Sequence, residues 1–565
     1  MEFTFPRFRR EFSVNFFKSL RFPLGEMSFF KDWVNSSRGD PYPLIFKKGE
    51  LSESSGDGVY RVLSEVKSAK PDIGAGTGSG VGADADMGDG GELCRFAFSF
   101  FPYASYRIKV NSLSILGSHS GSHNGSGCHS SAGFSFRIKG KEPFFTVFVE
   151  ASAAENGGAN GVLCFGKALN SAERQPLAGE YLTPDGGFEL LITARAGAFD
   201  IYITVNSCPK FIKSVKYPEF SELIREDVFR EAEADVFVRL PAGGCFEIPR
   251  VDMFMDCGIS QADMRPMRYE NGAPISADGR IYFTMSSRAE EGAYQSVISW
   301  LPGSADFRLE GAIFYDTGDG IWGGDVAASV IYDRVSETWM VWYCSFSHGH
   351  ILAHGETSAD LRHGINIINT TLMETEQTVE VRAGASDIAL GHTSETLKRA
   401  SLSDDRLFYA KYGDEDPDFV FDRVRGKWLM TICRPVTCED GKNRYRYFLF
   451  ESDNPFRGYV CRDFTRVGEN TGGSIVNIGD GYVFVCGSDF GARARYYKFE
   501  LDDLASPQEL TFDYDDGGFR GWGTVIALPG SGTRSRRFAM LTFDRHCGSA
   551  YNWSYGNIYV FTAKM

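Results

Sequence analysis

The sequence contains no run of about 18 apolar residues, so no membrane-crossing helix is expected. Basic residues are not in excess: 59 Lys and Arg against 74 Asp and Glu give a net charge of −15. Nucleic-acid binding needs a basic stripe, so that class of partner is disfavoured. There is no G-x-S-x-G elbow, which removes support for Ser–His–Asp hydrolysis. Residues 71–92, PDIGAGTGSGVGADADMGDGGE, are Gly-rich, but no Lys-Ser/Thr follows them. They read as a linker or insertion and not as a phosphate loop.

Two further absences concern the compartment. The N-terminal stretch MEFTFPRFRREFSVNFFKSLRFPLGEM is basic and aromatic, yet it has no continuous apolar core and no small-residue cleavage site. The 12 cysteines include no C-x-x-C pair, and Cys164, Cys257, Cys344, Cys433 and Cys486 lie in or beside apolar strand-like runs. Buried free thiols in a reducing compartment are the expectation, which favours the cytoplasm. The loop GSHSGSHNGSGCHSSAG holds His119, His123, Cys128 and His129, all potential zinc donors. Gly and Ser surround them, so they have no rigid frame, and no metal site is expected there.

What the chain does have is sheet-forming sequence. Aromatic residues make up 14%, with 47 Phe and 25 Tyr, which suits strands and sugar-stacking surfaces. At 565 residues more than one domain is expected. Residues 1–92 form an N-terminal segment that ends in the Gly/Asp-rich linker. Over 93–250 short alternating runs (CRFAFSF, GFSFRIKG, FFTVFVEAS, GVLCFGK, FELLITARA, FDIYITVNS, ADVFVRLPA) predict a β-sandwich as an accessory domain. Over 251–565 a strand–turn–strand unit recurs at about 50 residues, the period of a four-stranded propeller blade. Five copies predict an all-β chain, a sandwich followed by a five-bladed β-propeller. Residues Asn366–Lys411 read as a polar, partly helix-like insertion between the second and third copies. The final GNIYVFTAKM reads as an outer or closing strand.

Three of the copies open on an acidic residue: Asp263, Asp325 and Glu415. The first strand of each blade lines the propeller axis, so residues at these starts converge although far apart in sequence. Glycosidic cleavage requires two carboxyl groups, one giving a proton to the leaving oxygen and one activating water or attacking the anomeric carbon. A third nearby raises the acid's pKa by like-charge repulsion. Asp416 and Asp418 compete with Glu415, and Glu270 and Asp256 with Asp263; turn-capping acids at strand starts are the plain alternative.

These residues carry a family resemblance. Gln-Ala-Asp263-Met-Arg-Pro resembles the Ala-Asp-Pro that opens five-bladed enzymes of glycoside hydrolase family 43, and Gly-Gly-Asp325-Val-Ala resembles that family's second Asp. Glu415-Asp-Pro417 is similar to its Glu-Gly-Pro and to the Glu-Cys of family 32. The resemblance implies a glycosidase with Asp263 as base or nucleophile, Asp325 as pKa modulator and Glu415 as general acid. It covers about residues 255–565, and Pro is missing after Asp263 and Asp325.

Arg265, Trp322, His354, Arg434, Arg520, Trp522 and His546 are candidate substrate-binding residues. Arginine forks hold hydroxyls or carboxylates, and indoles stack on pyranose faces. His546 is similar to an axial histidine that helps hold an ion in some family 43 members. No cofactor is required on this reading, with a structural calcium at the propeller axis as the one option. Family 130 has a similar architecture and transfers to phosphate; Arg265, Arg268 and Arg434 leave a phosphorylase open. A non-catalytic carbohydrate-binding propeller would not need the three acids. Either way the expected partner is a carbohydrate.

Overall fold

The computed structural model describes residues 4–14, 21–23, 51–53, 60–63, 92–115, 130–153, 159–167, 172–177, 181–183, 186–205, 208–240, 244–248, 250–348, 351–373, 414–437, 443–466, 470–488, 495–513, 519–528, 536–544 and 556–564. It is all-β, with two compact units: Met1–Phe22 together with Asp256–Met565, and Pro23–Met255. No helix among the described residues is long and apolar enough to cross a membrane. The linker reading of 71–91 and the loop with His119, His123, Cys128 and His129 lie outside the described residues.

The larger unit has five antiparallel blades arranged as a propeller; three are separate four-stranded sheets, and the outer strands of the first two pair in parallel, Gly311 facing Gly364, to join those blades in one ten-stranded sheet. Blade one runs Ser260–Pro266, Arg280–Arg288, Ala293–Trp300 and Phe307–Asp316; blade two runs Ser329–Asp333, Thr338–Ser345, Ile351–Thr357 and Gly364–Leu372. Blade three comprises Glu415–Asp422, Lys427–Thr437, Asn443–Ser452 and Val460–Phe464. Blade four comprises Thr471–Asn477, Tyr482–Ser488, Arg495–Glu500 and Asp503–Glu509. Blade five has Phe519–Ala527, Arg537–Asp544 and Ile558–Lys564, and its fourth strand is Arg9–Val14 from the N-terminus.

That last pairing closes the ring with two ends of the chain. Arg9 faces Thr562 and Val14 faces Ile558 in antiparallel register. Phe8 exchanges backbone hydrogen bonds with Thr511 and Asp513. The C-terminal run is therefore the third strand of its blade, which leaves the outer position to the N-terminal strand. A second correction concerns Asn366: Gly364–Leu372 is blade two's outer strand, so no insertion begins there. Residues 374–411 of that expected insertion lie outside the described residues.

Successive side chains point to opposite faces of a strand, so the near-continuous apolar runs of the central strands give two apolar faces, and adjacent blades bury these against one another. Trp342 of blade two stacks on Phe419 of blade three at 4.2 Å, in a cluster with Met340, Trp428, Met430 and Phe448. Val420, Leu449, Ile475 and Phe484 do the same between blades three and four. Tight packing between the blades leaves the axis to the polar ends of the inner strands.

The smaller unit contains two antiparallel sheets. One is ordered Glu173–Leu177, Ala159–Gly166, Pro143–Ala153, Ser130–Ile138, Ala232–Leu240, Glu92–Ser99. The other includes Cys208–Val215, Ala198–Val205, Gly186–Arg195, Ser105–Ile115 and Gly244–Ile248. Their inner faces meet through aromatic rings: Phe136 lies 5.1 Å from Tyr106 and 5.0 Å from Phe199, and Phe145 lies 4.7 Å from Phe199. Such face-to-face packing of alternating strands makes a sandwich.

Candidate active site

The inner strands share one irregularity. Pairing to the second strand is interrupted between Ala262 and Arg265, between Glu415 and Asp418, and between Thr471 and Ser474. The first residue of each interruption is left-handed: Asp263 and Asp416 at φ 51°, Gly472 at φ 57°. In blade two Ala327, at φ 60°, holds the matching place just before Ser329–Asp333. A bulge of this kind turns a side chain out of the ladder and is frequent beside active sites. Left-handed backbone costs a non-glycine residue roughly 1–2 kcal/mol, and Asp is among the residues that tolerate it best.

These bulges set the acids at the starts of the inner strands. Asp263 is half-buried and accepts a hydrogen bond from Ser286 Oγ on the neighbouring strand at 2.8 Å. Asp325, also half-buried, accepts from Ser345 Oγ and from the Phe346 amide, each at 3.2 Å. Ser345 Oγ is in turn 2.8 Å from His348 Nδ1. Glu415 is half-buried and accepts from the Tyr445 hydroxyl at 3.4 Å. Asp416, next to it, accepts from the Gly472 amide at 3.1 Å and pairs with Arg265 Nη2 at 3.3 Å.

Electrostatics show which of these groups share a neighbourhood. The buried Cys344 thiol is pushed up by burial and then by the charges of Glu415, Asp325, Asp414 and Asp416. Asp263 is pushed up to about 6, first by burial and then by Asp416, against the pull of Arg265, Ser286 and Arg288. Asp416 thus links Asp263 to the carboxylates of blades two and three.

Beneath the bulges the axis is filled by ion pairs. Arg268 donates to Asp418 and to the carbonyl of Ile475, while Asp418 also accepts from Ser329 Oγ and the Ile475 amide. Both charged partners are buried, so this network ties blades one to four. Farther along, buried Glu270 accepts from Arg334 and Arg423, each at 2.6 Å. Burial would raise Glu270, but the two guanidinium hydrogen bonds overcome it and hold the carboxyl down at about 2. Asp256 is buried and caps the Gly258 amide. Asp418, Glu270 and Asp256 are therefore structural, and the half-open acids are Asp263, Asp325, Glu415 and Asp416.

The secondary candidates fare differently. Arg434 is buried, donates through Nε and Nη2 to Asp414 at 2.5 and 2.8 Å, and lies over the rings of Phe448 and Phe450. Through Asp414 it braces the start of blade three. Trp322 is 1% exposed and packs near Phe314, so neither indole face is left for a sugar. His354 lies on the third strand of blade two, stacked on Phe456 at 4.4 Å, away from the inner strands. Burial pushes its pKa down. Arg265 remains at the acid cluster, through Asp416 and the Gly473 carbonyl. Arg520 and Trp522 fall on the inner strand of blade five, but their side chains, like His546 altogether, lie outside the described residues. The guanidinium groups of Arg265 and Arg268 pair with Asp416 and Asp418, and His546, on which the axial-calcium option rests, lies outside the described residues. Among the described residues no group of His, Cys, Asp or Glu is arranged to hold a metal.

Sequence reading missed Ser286, Ser345, Phe346 and His348. Both serines lie at or near the ends of second strands, in MSSR and YCSF, one strand over from an acid, and that repetition was the available signal. Phe346 is 39% exposed although aromatic, and its own amide is fixed by Asp325.

No family model matches the chain, and no curated protein matches it. Several solved structures are similar at low identity. An α-L-arabinofuranosidase from Podospora anserina in complex with cellotriose is 12% identical over 54% of this chain and 91% of its own, with a TM-score of 0.33. The α-L-arabinanase of Cellvibrio cellulosa complexed with arabinohexaose is 13% identical over 58% of this chain and 93% of its own, with a TM-score of 0.26. Sheep galectin-11 in complex with glycerol is 16% identical over 28% of this chain and 95% of its own, with a TM-score of 0.18. At these values the likeness assigns neither family nor activity, so the chemistry of the site has to be argued from its own residues.

Proposed function

We propose that the chain is a glycoside hydrolase whose reaction is run by carboxyl groups at the bulged end of the propeller axis. The observation that carries the reading is that three successive blades begin with half-open carboxyl groups, while Asp414, Asp418 and Glu270 nearby are buried and ion-paired. Acids buried in ion pairs hold the fold together, whereas partly exposed acids at the starts of inner strands can reach a substrate. Glu415 protonates the leaving oxygen, Asp263 acts as base or nucleophile, and Asp325 orients and modulates. With Asp263 near 6, the base form dominates only above that pH, so kcat/KM is expected to rise through pH 6.

A neutral or weakly charged carbohydrate suits this cluster better than an anionic one, because no cation is spare among the arginines proposed for it. Arg265, Arg268 and Arg434 face Asp416, Asp418 and Asp414, which weakens the phosphorylase alternative.

The test is a screen of aryl glycosides and of plant and bacterial oligosaccharides, followed by amide substitutions at the site. Asp263→Asn is expected to lose roughly 10²–10⁴-fold in rate on every substrate found. Glu415→Gln should lose as much on natural substrates but least on activated aryl glycosides, which need little protonation. Rates near wild type for both variants would overturn the assignment.

A further inference from the structure

We propose that Asp416 is a fourth carboxylate of the site and acts through Asp263, as a fixed negative charge facing it from blade three. Its consequence for catalysis rests on the glycosidase reading; the electrostatic coupling does not.

The argument begins with backbone. A left-handed residue stands in or just before the inner strand of four blades, as Asp263, Ala327, Asp416 and Gly472, and at Asp263, Asp416 and Gly472 it falls in a bulge. Blade four fills it with glycine, which adopts φ 57° without strain. Blade three carries an aspartate there at φ 51° and so accepts a conformational cost that glycine would remove. The carboxyl group is held in place from two sides. The Gly472 amide donates to Oδ2 at 3.1 Å, and Arg265 Nη2 lies 3.3 Å from Oδ1. Arg265 is anchored independently by its Nη1 bond to the Gly473 carbonyl at 2.9 Å. With both oxygens fixed, Asp416 cannot swing away from the inner strand of blade one.

Asp263 meets a defined set of groups. From its own strand it faces Arg265; from the second strand of blade one it faces Ser286 and Arg288; from blade three it faces Asp416. The two arginines and the serine favour its charged form, while burial and Asp416 oppose it. Opposition wins, and Asp263 sits at about 6. Arg265 is divided between the two acids, and the direct contact goes to Asp416, leaving Asp263 the weaker claim. Behind Asp416 lie Tyr447, Cys433 and Cys344, whose buried hydroxyl and thiols are pushed up partly by its charge and so supply no compensating cation. Asp416 is therefore a positioning residue that sets when Asp263 becomes available as a base.

The experiment is a pH titration of the full chain labelled with ¹³C at aspartate carboxyl carbons, with Asp263→Asn identifying the Asp263 resonance. In the wild type this resonance is expected to titrate near pH 6, and a midpoint in the ordinary aspartate range would overturn the proposal. Asp416→Asn keeps an oxygen for the Gly472 amide but loses the charge, and should move the Asp263 midpoint down by about one pH unit. Asp416→Gly removes the side chain while relaxing the bulge, and guards against a folding defect in the first variant; it should move the midpoint in the same direction. An unchanged midpoint in the folded variants would overturn the coupling. The acidic limb of kcat/KM should follow the same shift once a substrate is in hand. A moved resonance in a chain without glycosidase activity would sink the functional reading and leave the coupling standing.

Discussion

Asp263 and Glu270 both belong to the innermost run of blade one, yet they hold their protons at opposite extremes, at about 6 and about 2. Burial pushes both upward, so desolvation does not separate them. The difference lies in their partners. Glu270 is gripped by two arginines from the first hairpins of blades two and three. Asp263 has a serine, a shared arginine and a facing aspartate. One end of the axis is satisfied and works as a latch; the other is left electrostatically frustrated, and that is the end with accessible carboxyl groups. Functional sites commonly retain such unresolved charge where the rest of a fold removes it.

The contrast can be broken at several points. The largest effect on stability is expected between the two ends, at the Arg268–Asp418 pair. Asp418→Asn strands a buried guanidinium and should cost about 3–5 kcal/mol in denaturant unfolding. A loss below about 1 kcal/mol would show that the axis does not depend on this pair.

At the latch itself, Glu270→Gln should cost less, about 1–2 kcal/mol, because Arg334 and Arg423 are half-exposed and water screens them. Here the sign of the pH dependence is informative. Glu270 titrates at an ordinary 4.5 when unfolded and at about 2 when folded, so its contribution is complete above about 4.5 and is lost as pH falls toward 2. Wild type should show this acid-limb loss of stability and Glu270→Gln should lack it. Identical curves would mean that the latch is not ionised as the geometry implies.

At the frustrated end the sign reverses. Asp263 binds its proton more tightly folded, near 6, than unfolded, near 3.8, so the fold loses stability as pH rises from about 3.8 to about 6, and the loss is complete above 6. Asp263→Asn should therefore gain on the order of 1 kcal/mol at pH 7 and nothing at pH 3.5, read by thermal unfolding at the two pH values. A variant less stable than wild type at pH 7 would contradict the account.

The smallest effect is expected at the rim. Phe346 is exposed beside Asp325, so Phe346→Ala should change stability by no more than about 0.5 kcal/mol. If it provides a stacking face, KM should rise several-fold with kcat little changed; an unaltered KM removes it from the binding surface.

Much of the architecture was legible because its signals are local. Alternating runs such as FFTVFVEAS and ADVFVRLPA specify strands by their own period, and spacing of the IYFTMSS, ETWMVWYCSF and KWLMTICRP units specifies blades. Outer strands were harder to see, since they are short, more polar and sit at an edge: Asn366 was read into an insertion although Gly364–Leu372 is a strand. The candidate acids were visible for the same local reason, as each precedes an inner strand. For Trp322, His354 and Arg434 residue type alone did not reveal that a face, a ring or a fork already has a partner in the fold.

The sequence by itself determined the all-β class, the repeat and which acids stand at the starts of inner strands, since these follow from periodicities of a few residues and from which side chains stand where a strand begins. Only the tertiary structure decided which acids are buried in ion pairs and which are partly exposed. It also placed Arg9–Val14 in the last blade and set Asp416 against Asp263. Each of those outcomes depends on partners from distant blades, and pairing across such separations leaves no mark on local composition.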